Sequence, residues 1–469
     1  MNKQTYSIDS KRESAATLSV EPANSTRYAY MMCAVAALAG LLFGFDIAVI
    51  NGALIFLREQ FHLSDLQTEF AASSLLIGCI GGASIAGWLS DRYGRRIVLS
   101  ASALLFGASS IGAAIPHHFL EFEIARFIGG VAIGVASMLA PLYIAEVSPA
   151  HIRGRLVSFN QMAVVTGILL AYLVNWSLSF TGPAGWRWMF AVAVVPSFGL
   201  FLGLFFVPES PRWLVEQKRE ADALLILQKI ENAHNAQQQL KEIRKSVIEE
   251  AGTFRDLLTP AMRRPMFLAV SLAILQQITG INTVLFYGSI IWEQQLGSHN
   301  HSAAIGANVT IGLVNFLATL IALWLIDRSG RKPLLMFSSG CMAVCQLVLG
   351  VAFLLHAPPA ILVLSCMLLC VAAFAVGLGP GVWVLMAELF PTRVRGRAMS
   401  VANMALWIAS FVLTATFLSL THAITITGAF CVYSGMCIIA FLIVWRLTPE
   451  TKGKTLEEIE SFWQMSRRP

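Results

Sequence analysis

A charged string occurs twice in a chain that is otherwise mostly apolar. Asp91-Arg92-Tyr93-Gly94-Arg95-Arg96 returns as Asp327-Arg328-Ser329-Gly330-Arg331-Lys332. Glu146 with Arg153-Gly154-Arg155 returns 242 positions later as Glu388 with Arg395-Gly396-Arg397. Pro208-Glu209-Ser210-Pro211-Arg212 returns 241 positions later as Pro449-Glu450-Thr451-Lys452. Three cassettes recurring in one order at nearly one offset make the chain two fused copies of a half. An internal repeat of that length fixes the architecture before any local propensity is weighed.

Each half reads as a membrane unit. Hydrophobic residues make up 56% of the chain and charged residues 13%, against roughly 25% charged in a soluble domain. Apolar stretches of about 20 residues cross a bilayer as helix. They are predicted at 30–57, 69–90, 97–116, 119–145, 156–180 and 186–207, then at 265–294, 303–326, 333–355, 359–387, 397–420 and 423–446. The expected fold is all-α and integral to the membrane, with twelve transmembrane helices in two pseudo-symmetric six-helix bundles, 29–207 and 265–447. Parallel halves related by an axis along the membrane normal are the architecture of alternating-access carriers.

Charge sets the expected orientation. Of the 33 Lys and Arg residues, Arg58 and Arg187 lie at the face away from the cassettes and Arg126 lies inside a span; the other 30 fall in the termini, the cassettes and the central segment. The positive-inside rule then makes the cassette face cytoplasmic, with both termini inside a plasma membrane, the inner one in a Gram-negative cell. The net charge of +6 is a topology signal, and no nucleic-acid partner is expected. Residues 1–28 lack the apolar core and cleavage site of a signal peptide and are expected to form a disordered tail; residues 448–469 form the other tail. The segment 208–264, with Leu224, Leu225, Leu227, Ile230, Leu240 and Ile243 at helical spacing, is expected to link the halves through short amphipathic helices. The eight cysteines all lie in apolar spans without accompanying histidines and read as packing residues.

Ionisable side chains inside a bilayer cost about 2.5–3.5 kcal/mol each on insertion scales, so those retained point to function. Asp46 in the first span and Arg126 in the fourth are the clear cases. They can neutralise one another, and a carboxylate balanced between desolvation and a guanidinium is suited to exchanging a proton. A permanent pin between two helices is the alternative. Glu121 and Glu123, near the outer end of the fourth span, are expected to be solvated. A second constellation is polar but uncharged. Gln276-Gln277-Ile278-Thr279-Gly280-Ile281-Asn282 interrupts the seventh span, and Gly377-Leu378-Gly379-Pro380-Gly381 breaks the tenth ahead of Trp383. Gln161, Asn315 and Trp407 stand in the fifth, eighth and eleventh. Amides that donate and accept, beside flat indole faces, suit a neutral polyhydroxylated ring. No nucleotide-binding loop, metal-ligand cluster or nucleophile–base pair stands out, so no enzyme, cofactor or metal is expected. In the cassettes, the acids Asp91, Glu146, Asp327 and Glu388 among Arg92, Arg153, Arg328 and Arg395 are expected to latch the cassette face between conformations.

These strings, above all the doubled D-R-x-G-R-[RK] with P-E-S-P-R, P-E-T-K-G and Q-Q-x-x-G-I-N, resemble the sugar porter family of the major facilitator superfamily from about residue 30 to 463, nearest to its bacterial sugar–proton symporters. The resemblance implies a twelve-helix fold, alternating access and a monosaccharide, pentose or hexose, carried with a proton by a functional monomer. It implies Gln161, Gln276, Gln277, Asn282 and Trp383 as sugar ligands, with Phe43, Gly379 and Trp407 packed around the ring. It gives Asp46 the place of the symporters' acid and Arg126 that of its partner. Ile168, Phe286 and Leu406 each lack a hydrogen-bonding group that the related pentose carriers have, so the sugar itself is not inherited. An uncoupled facilitator and, more remotely, a membrane sugar sensor are the competing functions.

Overall fold

The computed structural model describes residues 23–149, 152–230, 233–249, 254–260, 262–296, 301–355, 358–390 and 392–452. Among them, twelve helices are long and apolar enough to cross a membrane. The first half holds α1 (Arg27–Gln60), α2 (Asp65–Tyr93), α3 (Arg95–Ala114), α4 (Phe119–Val147), α5 (Arg153–Thr181) and α6 (Gly185–Gly203). The second holds α7 (Arg263–Glu293), α8 (His301–Ile326), α9 (Arg331–Ala352), α10 (Ala360–Glu388), α11 (Val394–Thr414) and α12 (Phe417–Leu447). The two six-helix bundles meet along α2 against α11, α5 against α8, and α1 against the second piece of α7. Large apolar side chains such as Trp88, Leu104, Val195, Ile321, Ile361 and Leu369 are exposed, as expected of helices whose outer surface is solvated by lipid.

Glycine decides which helices come closest. On α2 and α4 the pairs Gly78/Gly82 and Gly130/Gly134 are each four apart and face one another. A Cβ at Gly78 would run into the Phe127 carbonyl oxygen, and one at Gly130 into that of Leu75. Small residues at this spacing let two backbones touch, and van der Waals packing then replaces the missing hydrophobic drive inside a bilayer. The contact presses α4 into the first bundle, close to α1.

Three boundaries differ most from the sequence expectation. The first helix begins at Ala23, inside the segment expected to be a tail; residues 1–22 lie outside the described ones. The eleventh span ends at Thr414 and the twelfth starts at Phe417, several residues before the predicted turn. No Gly or Pro marks that turn, whereas the kink that does disturb α12 falls at Ile424 and Thr425, where φ at Thr425 is 65°. Between the halves run the short helices Pro211–Glu216, Glu220–Ile230 and Ala233–Glu249. Leu214, Val215 and Ala223 form a small core there with Leu240 and Ile243 packed on it, while Leu225 is exposed. The eight cysteines are free, and Cys431 alone is exposed.

The cassettes build one structure twice. Gly94 takes φ 94° and Gly330 φ 86°, turning the chain between two helices in a conformation that favours glycine. The carboxylate of Glu209 accepts from the backbone N–H of Arg95 at 2.9 Å and of Arg96 at 3.2 Å, capping α3. Glu450 does the same for α9, from Arg331 and Lys332 at 3.1 Å each. An anion at a helix N-terminus satisfies orphan donors and the dipole together. Burial pushes the Glu209 carboxyl up from its ordinary value, and the N–H groups of Ser210, Arg96 and Arg95 pull it back.

Candidate functional site

The charged centre lies in the first bundle. Arg126 on α4 donates through Nη1 to Asp46 Oδ1 on α1 at 2.6 Å. Both side chains are buried, 2% and 6% exposed, and the guanidinium lies 5.4 Å from the centre of the Phe190 ring. Asp46 Oδ2 and Arg126 Nε are buried without a hydrogen-bond partner. A pair so placed has lost most of its hydration, and removing one member strands the other at about 3–5 kcal/mol. One turn away on α4, Glu123 is buried at 4% exposure, against the expectation that it is solvated; Glu121 is exposed. Nearness to the end of a helix sets depth, but which side of the helix faces α2 sets burial.

The neutral centre lies in the second bundle and forms where two helices break. In α7 the helix stops at Ile278 and resumes at Ile281, with Gly280 at φ 84°. In α10 it stops at Val376 and resumes at Leu378. Breaks free carbonyl groups that cannot be left bare in a membrane. Gln276 Nε2 donates to the carbonyls of Leu378 at 2.8 Å and Gly379 at 3.0 Å. Gln346 Nε2 on α9 donates to the Thr279 carbonyl at 2.5 Å. Asn282 Nδ2 donates to Gln277 Oε1 at 2.7 Å and Ser410 Oγ at 2.8 Å.

The structure therefore brings Gln276, Gln277, Asn282 and Gly379 together. Phe43 on α1 meets Trp407 on α11 edge to face across the halves, centroids 5.6 Å apart. Gln161 on α5, Trp383 on α10 and Asn315 on α8 make no side-chain hydrogen bond with this set among the described residues. Three polar atoms, Gln276 Oε1 at the breaks and Trp407 Nε1 and Asn403 Oδ1 on α11, are buried without a partner. Two are acceptors and one is a donor, a mixture that a ring with several hydroxyls can satisfy and a hydrocarbon cannot.

At the face away from the cassettes, side chains join the halves. Asn51 on α1 donates to the Leu285 carbonyl at 2.8 Å and accepts from Ser289 N–H at 3.0 Å. Glu69 on α2, 1% exposed, accepts from Ser419 N–H and Oγ at 2.7 Å each. His422 Nε2 lies 2.9 Å from Asp65 Oδ2, and His301 Nε2 lies 3.3 Å from Glu59 Oε1. The sequence flagged none of these as bridges, because each partner stands more than 200 positions away.

At the cassette face the closest ion pairs of the recurrent charges lie inside their own half, while Asp91 also lies near enough to Arg397 of the second half for the two charges to attract. Arg95 holds Glu146 at 3.2 Å, with Asp91 and Glu216 each at 3.4 Å and Arg212 at 3.9 Å from Glu146. Arg331 holds Glu388 at 2.9 Å, and Thr451 Oγ1 donates to Glu388 at 2.5 Å. Arg92 lies over Trp88 and Tyr93, and Arg328 over Trp324 at 4.0 Å. Arg153 and Arg395 each reach back to a carbonyl five residues earlier, those of Ser148 and Phe390. The side chain of Asp327 lies outside the described residues.

A fold of two six-helix bundles enclosing an ion pair and an amide set is that of a membrane carrier of the major facilitator superfamily. The family model for sugar (and other) transporters matches residues 32–463. The chain is 38% identical to the D-xylose-proton symporter of Escherichia coli over 94% of its own length and 96% of the relative's. It is 36% identical to the arabinose-proton symporter of Bacillus subtilis, over 95% and 97%. A solved proton:xylose symporter bound to 6-bromo-6-deoxy-D-glucose superposes with a TM-score of 0.82 at 38% identity, covering 94% of this chain and all of that one. The chain belongs to the sugar porter family.

Proposed function

We propose that this protein is a sugar–proton symporter that imports a monosaccharide, pentose or hexose, across the plasma membrane by alternating access. The observation that carries the coupling is the buried Asp46–Arg126 pair at 2.6 Å, because the same helix also reaches the amide centre. Phe43, one turn before Asp46, touches Trp407, and Asn51, beyond Asp46, holds the second piece of α7. A proton arriving on Asp46 releases Arg126 and lets α1 shift, and α1 carries that shift to the sugar site and to the contact between halves. The named relatives, a xylose and an arabinose carrier, each move a pentose with protons, which supports the same coupling here.

In this reading Gln161, Gln276, Gln277, Asn282, Asn315 and Trp383 meet the sugar, with Phe43, Gly379 and Trp407 around it. The cassette face and both termini are cytoplasmic, and the functional unit is a monomer. The bridges from Asn51 and Glu69 then close the outer side, and the paired cassettes keep each bundle rigid where the inner side opens.

The test is sugar-induced alkalinisation of a weakly buffered cell suspension over a panel of D-xylose, L-arabinose, D-glucose and D-galactose. A symporter raises the external pH with at least one of them and stops doing so when the proton gradient is dissipated. Uptake of a sugar without any pH change would make the protein a facilitator with Asp46 as a structural pin.

A further inference from the structure

At 100° per residue, positions 403, 406, 407, 410 and 414 of α11 fall on one face of the helix, within about 100° of arc. Two of them make side-chain contacts that fix where that face points. Trp407 meets Phe43 of the other half and Ser410 Oγ accepts from Asn282, and at the end of the helix the Thr414 backbone carbonyl accepts from Tyr287 at 2.6 Å. The face therefore looks at α1 and at the break in α7. Asn403 lies in the middle of this arc, between the directions of Leu406 and Trp407 and one turn nearer the cassette face. It is 6% exposed, and its Oδ1 is buried without a partner.

We infer that Asn403 is a specificity-determining residue of the sugar site, reading a ring hydroxyl with its amide. Leu406 offers no hydrogen bond on this face; Asn403, one turn away, supplies the amide that the face otherwise lacks. A buried amide oxygen without a donor is costly, and a hydroxyl that donates to it removes that cost in the loaded state. A site built to bond a particular hydroxyl rejects the analogue that lacks it far more strongly than a greasy pocket senses an extra methylene. Asn403 therefore contributes to choosing among sugars that differ at one hydroxyl, beyond holding a ring in general. The inference rests on the sugar-transport reading above.

The experiment measures binding of D-xylose, D-glucose, D-galactose and the monodeoxy glucoses to the purified full-length protein by calorimetry, for wild type and Asn403→Ala. The expected loss for the best sugar is about 5- to 100-fold, the size of one buried hydrogen bond with a stranded partner. One monodeoxy analogue should bind both proteins equally, because the hydroxyl it lacks is the one that Asn403 reads. If the alanine variant is not recovered folded, Asn403→Ser, smaller and still polar, takes its place with the same expectation. Unchanged affinities and unchanged ranking of the sugars in a folded variant would overturn the role of Asn403. Binding of no panel sugar by the wild type would instead overturn the sugar reading itself.

Discussion

The two halves share a frame and differ in what they enclose. Both turn at a glycine of positive φ, both cap the following helix with the glutamate of a distant cassette, and both lock an arginine onto the glutamate that ends a helix. Inside, the first half buries a charge pair and the second buries amides around two helix breaks. The frame answers a demand that both copies face, a bundle end that must stay rigid at the membrane surface. On the proposed function the interiors suit different ligands: a proton needs a titratable group, and a neutral ring needs donors and acceptors without charge. On that reading, divergence of the duplicated cores puts the coupling acid in the first half and most of the sugar's ligands in the second, with Phe43 of α1 and Gln161 of α5 reaching the sugar from the first half.

The largest expected effect is at the charged core. Arg126→Ala leaves Asp46 without its counter-ion and should cost about 3–5 kcal/mol of stability, seen as a fall in melting temperature of the detergent-purified protein. Asp46→Asn keeps the shape and removes the titration. It should abolish uphill accumulation while sugar binding and exchange persist. Accumulation against a gradient in the Asp46→Asn protein, still dependent on the proton-motive force, would erase the division of labour between the halves.

The neutral core should answer in the opposite sense. Asn282→Ala removes the donor to both Gln277 and Ser410, and Gln276→Ala strips the donor from the Leu378 and Gly379 carbonyls. Each should weaken sugar binding by about 1–3 kcal/mol and leave proton dependence intact wherever transport remains measurable. Calorimetry gives the affinity and the alkalinisation assay the stoichiometry. A change in stoichiometry with unchanged affinity would mean that the amide set belongs to the coupling machinery.

How much of this was legible in the sequence follows the range of the interactions. The spans, the duplication, the breaks at Gly280 and Gly377 and the Asp46–Arg126 pair each announce themselves in local composition or in one costly residue. The caps by Glu209 and Glu450 do not, because each joins segments more than 100 positions apart. Asn51 and Glu69 sit in plain view as polar residues of spans, yet their bridging role depends on Ser289 and Ser419 in the other half. Glu123 looked solvated because depth can be read from position while azimuth cannot. Gln276 was legible as an amide at a break, but not that its nitrogen is already committed to the backbone of α10.

The smallest expected effect tests the frame itself. Glu146 is 6% exposed in its pair with Arg95, whose side chain is 4% exposed, and Arg212 and Glu216 complete the cluster. Glu388 is 26% exposed in its pair with Arg331, so water already screens that copy. Glu146→Gln removes a buried charged hydrogen bond worth about 1.5–3 kcal/mol. Glu388→Gln removes a partly solvated one worth about 0.2–1 kcal/mol. If these pairs stiffen the bundle ends on which the cytoplasmic gate closes, both variants should shift the distance between spin labels placed across the two bundles on that side. The shift should be several-fold larger in population for Glu146, because a two-state equilibrium moves only by the free energy that distinguishes its states. Sugar preference should not change in either, since neither glutamate reaches the amide set. Equal shifts in the two variants would show that burial does not grade the copies, and no shift in either, with normal transport, would leave the cassettes as helix caps and topology signals alone.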